Sequence, residues 1–186
     1  MKTNLRTILV LIVTTVLIIG GVVLVRAPWN NSANVTAIDI GIDPHQPAPA
    51  VGRTAPDFVG TALGDEVIRL SDLAGKPAWL VFGATWCTNC RAEAVDVEAV
   101  SQQYLGRARV LSIYVGEDSE TVSGYAERVK LTHSQIPDPL NEIASTYGVL
   151  GFHTHIFIDS DGVIRKITMG SMSVKTASEI LDSLMQ

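Results

Sequence analysis

Cysteine is nearly absent from this chain: its 186 residues include two, both in the run Trp86-Cys87-Thr88-Asn89-Cys90. With no third thiol, there is no disulfide framework to build and no four-cysteine zinc site to complete. A Cys-x-x-Cys pair in that setting serves reversible dithiol/disulfide chemistry, or a metal site that draws a further ligand from elsewhere. The tryptophan before Cys87 and the apolar run over 77–83 favour the redox use. Basic residues are also few. Three of the 14 lysines and arginines, and none of the 19 acidic residues, fall in the first 28 positions, so the remainder carries 11 against 19, a net charge of −8. Such a surface argues against nucleic acid or anionic lipid as a partner, and acidity for solubility alone accounts for it. No glycine-rich phosphate loop, serine-hydrolase elbow or internal repeat is present.

The amino terminus does have a long hydrophobic run. Lys2 and Arg6 precede an uncharged stretch from Thr7 to Val25, which Arg26 closes. A bilayer core takes roughly 20 apolar residues, so the stretch is long enough to span one. A cleavable signal peptide is the competing reading, with an apolar region of about 7–15 residues. Here the run is longer, Ala27 is followed by Pro28, and no cysteine lies nearby to carry a lipid. The expectation is an uncleaved signal-anchor over 7–26 behind a cytoplasmic tip of 1–6, since the positive charges sit before the span. Residues 27–51, with Pro44, Pro47 and Pro49, then form an extracytoplasmic linker, and 52–186 a folded domain outside the cytoplasm.

Within that domain strand-like and helix-like patterns alternate. Val67, Ile68 and Leu70 suggest a short strand, 77–83 a buried one, and Arg109 to Val115 another. Helical spacing runs from the cysteines to about Tyr104, over Ser119 to Val129 and over Asn141 to Tyr147. His155 to Ile158 and Val163 to Met169 flank the turn signal Ser160-Asp161-Gly162, and Ser173 caps a final helix ending near Met185. Val35 to Ile42 alternates weakly and could add an edge strand. The pattern predicts an α/β domain with a mixed central sheet flanked by helices.

Placing Cys87 at a strand-to-helix junction has a chemical consequence. Unpaired amides at a helix start favour a thiolate and depress a cysteine pKa from about 8.5. Cys87 is then the attacking sulfur and Cys90, one turn in, the resolving one; two inert core cysteines are the bland alternative. Cys90, Glu93, Val97, Val100 and Tyr104 share one helix face. A glutamate in that apolar stripe is desolvated, which raises its pKa and suits it to accept the Cys90 proton. Complementing the helix dipole is the competing role.

Three runs carry a resemblance: Gly52-Arg53-Thr54-Ala55-Pro56-Asp57-Phe58, Leu70-Ser71-Asp72-Leu73-Ala74-Gly75-Lys76-Pro77, and Phe82 through the cysteines to Glu93. Val115-Gly116-Glu117, Tyr147-Gly148-Val149-x-Gly151 and Ile158-Asp159-x-Asp161-Gly162 continue it. In these the chain resembles the membrane-anchored thioredoxin-like reductases of the TlpA/ResA/CcmG group, within the redoxin family, over about 52–186. The resemblance implies a thioredoxin fold and an extracytoplasmic thiol–disulfide oxidoreductase on the cell membrane. Its substrates would be disulfide-bearing proteins, often in cytochrome c or copper-site maturation, and its electrons would come from a membrane dithiol carrier. No cofactor is implied. Glu93 matches the acidic residue that members of the group carry three positions after the second cysteine. Val81 stands where cytosolic thioredoxins have an acidic residue. Trp86, His153 and Thr154 correspond to the substrate-facing surface. Peroxiredoxin chemistry is excluded, because Ala84 replaces the threonine needed three residues before Cys87.

Two positions depart from the pattern. Thr88-Asn89 separates the cysteines where relatives often have a proline, so a reducing potential does not follow from fold. His153 occupies the place of a cis-proline in Gly148-Val149-Leu150-Gly151-Phe152-His153-Thr154. A cis bond before a non-proline residue costs about 2.5–4 kcal/mol, so the Phe152–His153 bond is expected to be trans. His153 could modulate the Cys87 thiolate, contact substrate, serve structure alone, or join Cys87 and Cys90 in a Sco-like copper site. The Sco-type copper chaperones have one more residue between their cysteines. A thiol domain that only binds partners is a third reading.

Overall fold

The fold is organised around a central strand that is buried along its whole length. In the computed structural model, which describes residues 48–149 and 151–186 together with Asn4, Thr14 and Thr15, that strand is Ala78–Gly83. In chain order the elements are β1 (Val59–Thr61), β2 (Val67–Arg69), a 3₁₀ turn (Leu70–Leu73), β3 (Ala78–Gly83), α1 (Thr88–Gln103) and β4 (Arg109–Val115). There follow α2 (Ser119–Val129), β5 (Ser134–Asp138), α3 (Glu142–Thr146), β6 (Thr154–Ile158), β7 (Ile164–Met169) and α4 (Val174–Ser183). The main sheet has the order β5-β4-β3-β6-β7, with β3, β4 and β5 parallel and β6 and β7 antiparallel. This is the mixed α/β arrangement expected from the alternation of patterns.

A strand covered on both faces reads as a continuous apolar run, and β3 does so because successive side chains enter different cores. Ala78, Leu80 and Phe82 join Leu111, Ile113, Ile136 and Ile156 under α3, the 3₁₀ turn and the β1–β2 hairpin. Trp79 and Val81 pack with Val97, Val100 and Tyr104 of α1 and with Ala177 and Leu181 of α4. Val122 and Tyr125 of α2 meet Ala94 and Tyr114 on that same side. The β1–β2 hairpin lies close over β5: a methyl group on Gly60 would stand 2.8 Å from Ile136 Cγ2.

Several boundaries differ from the sequence reading for local reasons. Leu70 opens the 3₁₀ turn instead of ending a strand, and Asn141 precedes α3 in a left-handed conformation, φ 59°. β1 and β5 have no counterpart in that reading. β5 starts with Ser134 and Gln135 and contains Pro137, which the sheet tolerates because β5 is an edge strand. Ser173 caps α4 as expected, accepting the Thr176 N–H at 3.2 Å. The strand suggested over Val35 to Ile42 lies outside the described residues. So does nearly all of the anchor expected over 7–26, and among the described residues no helix is long and apolar enough to cross a membrane.

Candidate active site

β3 delivers the chain to the site. After Gly83 the backbone turns, the Cys87 N–H donates to the Ala84 carbonyl at 3.1 Å, and Cys87 becomes the N-cap of α1. Its Sγ accepts the Cys90 N–H at 3.3 Å, so the sulfur lies against the amides that a helix start leaves unpaired. Cys87 and Cys90 are joined by a disulfide, with Cα atoms 5.3 Å apart. The loop is held from the far side by Glu117, whose buried carboxylate accepts the Thr85 N–H at 2.7 Å and the Thr85 hydroxyl at 2.6 Å. Trp86 is 62% exposed and meets the 37% exposed Phe152 edge-to-face at 4.6 Å. These two rings border a groove of about 500 Å³ that continues past Gly116, Asn141 and Ser145.

Beneath the disulfide on the β6 side lies a buried acid–histidine cluster. Glu93 is 5% exposed; its Oε2 is 2.6 Å from His153 Nε2 and 3.6 Å from His155 Nε2, and its Oε1 accepts the Met172 N–H. Burial pushes the Glu93 carboxyl above its ordinary value, and the hydrogen bonds from Met172 and His153 offset this only in part. Burial likewise lowers His155 to about 4, so its ring is neutral. The His155 Nε2–H donates to the Gly170 carbonyl at 3.0 Å, which leaves Nδ1 as a buried acceptor with no hydrogen-bond partner. Glu93, His153 and His155 are the described residues best placed to hold a metal ion, with donor atoms all within 4.8 Å of one another. Binding there would displace the Glu93–His153 hydrogen bond and the one from His155 to Gly170.

His153 has an unusual backbone. All described peptide bonds are trans, including Phe152–His153 as expected, and His153 instead takes a left-handed conformation, φ 72°. Its N–H donates to Phe82 O and its carbonyl accepts from Gly170 N–H, both at 2.9 Å. These bonds tie the residue to the ends of β3 and β7 and leave its backbone groups committed within the fold.

A second acid–histidine pair lies toward the β5 side of the sheet. Glu98 Oε2 is 2.7 Å from His133 Nδ1, and His133 Nε2 is 2.8 Å from the Ser112 hydroxyl. Burial pushes Glu98 up, but hydrogen bonds from Thr132, His133 and Gln102 outweigh it and hold the carboxyl at about 2. Burial lowers the His133 pKa against the pull of Glu98.

Residues 51–167 match the AhpC/TSA family. The chain belongs to the AhpC/TSA family. Among its relatives is the thiol-disulfide oxidoreductase ResA of Geobacillus thermodenitrificans, 35% identical over 138 residues, which cover 74% of this chain and 79% of that protein. The thioredoxin-like protein YneN of Bacillus subtilis is 31% identical over 83% of this chain and 88% of its own length. In fold, the chain is similar to a thiol:disulfide interchange protein of Chlorobium tepidum, with a TM-score of 0.67 at 23% identity, over 75% of this chain and 100% of that one. This AhpC/TSA-family protein therefore has a thioredoxin-like fold and is a thiol–disulfide oxidoreductase with Cys87 and Cys90 as its redox pair.

The structure of this family member groups the expected site residues unevenly. Cys87, Cys90 and Trp86 lie together at the start of α1, and Glu93 follows on the buried face of that helix. Of the three residues expected to face substrate, Trp86 is exposed, whereas His153 and Thr154 are buried. The Thr154 hydroxyl donates to the Gly151 carbonyl at 2.9 Å, and Phe152 takes the exposed position beside Trp86. Sequence reasoning gave no part to Glu117, His155, His133, Glu98 or Ser112. Glu117 does stand two residues beyond a predicted strand, in the Val115-Gly116-Glu117 run, the place where loops meet at a strand's carboxyl end.

Proposed function

We propose that the protein is a membrane-anchored reductase of protein disulfides outside the cytoplasm, with its anchor over residues 7–26. The observation that carries the redox reading is Cys87 at the N-cap of α1, bonded to Cys90 beside the exposed rings of Trp86 and Phe152. In the reduced enzyme the Cys87 thiolate attacks a substrate disulfide. One substrate sulfur leaves as a thiolate, and Cys87 becomes linked to the other. Cys90, deprotonated, then attacks Cys87 Sγ; the Cys87–Cys90 disulfide closes, and the second substrate sulfur leaves with the electron pair. Two electrons have passed to the substrate, and a membrane dithiol carrier returns two to the enzyme. Glu93, raised by burial and joined to His153, takes up a proton in the resolving step. Cytochrome c or copper-site maturation is the setting that the family resemblance supports.

The test is trapping in cells. Full-length Cys90→Ala should accumulate mixed disulfides with partner proteins, and a Cys87→Ala, Cys90→Ala double variant should not. Equal patterns from the two would remove the reading. Direction is tested by equilibrating the purified full-length protein in thiol redox buffers: a potential near that of thioredoxin, about −270 mV, supports reduction, and one near about −120 mV makes it an oxidant.

A copper-assembly role using Cys87, Cys90 and His153 is the second reading. In the oxidised structure the His153 ring bonds Glu93 Oε2 at 2.6 Å, so this role requires the ring to leave that carboxylate for the cysteines. Cu(I) titration of the reduced protein, with and without His153→Ala, separates the two. Tight binding that collapses in the variant would promote copper assembly, and binding indifferent to the histidine would remove it.

A further inference from the structure

We infer that Ser112, His133 and Glu98 form a proton relay for Cys90, reaching its sulfur through a cavity on the side of α1 away from His153. The inference rests on the dithiol reading above and assigns it a second set of positioning residues. Cys90 lines a cavity of about 30 Å³ together with Val81, Gly83, Ser112, Tyr114, Tyr125 and His133. That volume is enough for one water. The Cys90 sulfur lies against β3 there: a Cβ on Gly83 would stand 3.2 Å from Cys90 Sγ. Val81 is paired in register with Ser112 on one side and His155 on the other, so an apolar residue divides the two acid–histidine pairs.

The direction of the relay follows from the protonation states. Glu98 is ionised at any pH well above 2 and can only accept, so the proton between it and His133 belongs to Nδ1. His133 Nε2 then carries the lone pair, and the Ser112 hydroxyl donates to it. The Ser112 oxygen keeps lone pairs for a proton arriving from the cavity. The chain reads Glu98 carboxylate, imidazole, hydroxyl, and its Ser112 end lines the same cavity as Cys90. An acid, a histidine and a serine in this order also describe a hydrolase triad, but the cavity is too small for an acyl substrate.

By this route, an alternative to Glu93 as acceptor, the S–H proton of Cys90 passes directly or through one water to Ser112 Oγ as Cys90 attacks the mixed disulfide, while the hydroxyl proton moves to His133 Nε2. The sulfur electron pair forms the Cys90–Cys87 bond, the Cys87–substrate bond breaks, and the substrate sulfur leaves as a thiolate. Glu98 stabilises the imidazolium until re-reduction returns the proton to Cys90. The groups facing the relay are Glu98 and Cys90 from α1, Ser112 and Tyr114 from β4, and Tyr125 from α2. Burial pushes both tyrosines up, so neither competes as a base.

The test uses full-length protein with a Cys87-linked mixed disulfide to a small aromatic thiol, and follows thiol release across pH. Ser112→Ala and His133→Phe should slow release about tenfold or more and displace the pH profile to higher pH, while Ser112→Thr, which keeps the hydroxyl, should restore both. Attack by Cys87, measured in a Cys90→Ala background, should be unchanged. The relay is overturned if the folded Ser112→Ala protein keeps the wild-type rate and profile, or if Glu93→Gln alone reproduces the whole displacement. Failure of the dithiol reading looks different: wild-type itself would release no thiol.

Discussion

His153, in a left-handed conformation, ties the end of β3 to Gly170 and Glu93. At φ 72° a side chain with a Cβ costs roughly 1–2 kcal/mol, which glycine avoids. His153 keeps that conformation through three bonds: its N–H to Phe82 O, its carbonyl from Gly170 N–H, and its ring to Glu93. His153→Ala removes the ring bond and keeps the strain, while His153→Gly removes both. We expect the glycine variant to be more stable than the alanine variant by about 1 kcal/mol in urea denaturation, although both fall below wild-type. Equal stability of the two would show that the loop does not hold this conformation in solution. The same residue marks what a single chain could reveal. Replacement of the proline, and hence a trans bond, was legible in the sequence. The partnership with Glu93 was not, because those residues are 60 positions apart and meet only when β6 pairs with β3.

At the scale of elements, close approach decides where the hairpin can sit. β1 lies against β5 because Gly60 presents no side chain toward Ile136 and Ile143. Gly60→Ala should cost about 1–3 kcal/mol by overpacking, read as a lower denaturant midpoint with an unchanged slope. A midpoint equal to wild-type would mean that the hairpin lifts away at little cost. β3, β4, α1 and α4 were legible, since each carries a sustained apolar run, a strong helical stripe or a capping serine. Of the stripe, Glu93, Val97, Val100 and Tyr104 are buried as its spacing implied, and Cys90 at its start is half-buried. β5 was hidden because its hydrogen bonds come from β4 while its side chains include Ser134, Gln135 and Pro137. His133 was hidden for a related reason: its partner Glu98 is 35 residues earlier, on the opposite side of a loop–strand–helix excursion.

For the molecule as a whole, shifted titratable groups pull stability in opposite directions with pH, two lowered and one raised. Glu98 drops from its ordinary 4.5 to about 2 on folding, so protonation favours the unfolded chain, and stability present above 4.5 is lost as pH falls toward 2. His155 drops from 6.5 to about 4, so the unfolded chain binds that proton first and stability also falls from 6.5 to 4. Glu93, raised by burial, runs the other way and loses stability as pH rises through its folded value. Denaturant midpoints of the oxidised protein should therefore decline between pH 4.5 and 2, and Glu98→Gln should flatten that interval. Parallel curves for the two proteins would count against the Glu98 network.

Residues 52–54 are stitched to the start of β7: Gly52 N–H donates to Ile164 O, Ile164 N–H to Arg53 O, and Thr54 bridges Val163. That seam lies beside Ala78, at the end of β3 opposite the one from which the cysteine loop departs. The domain thus has a fixed root and a reactive tip, separated by the length of β3, about 20 Å. The chain enters the sheet at β7, away from the Cys87–Cys90 loop. The dithiol is left facing outward, toward visitors that approach from the other side.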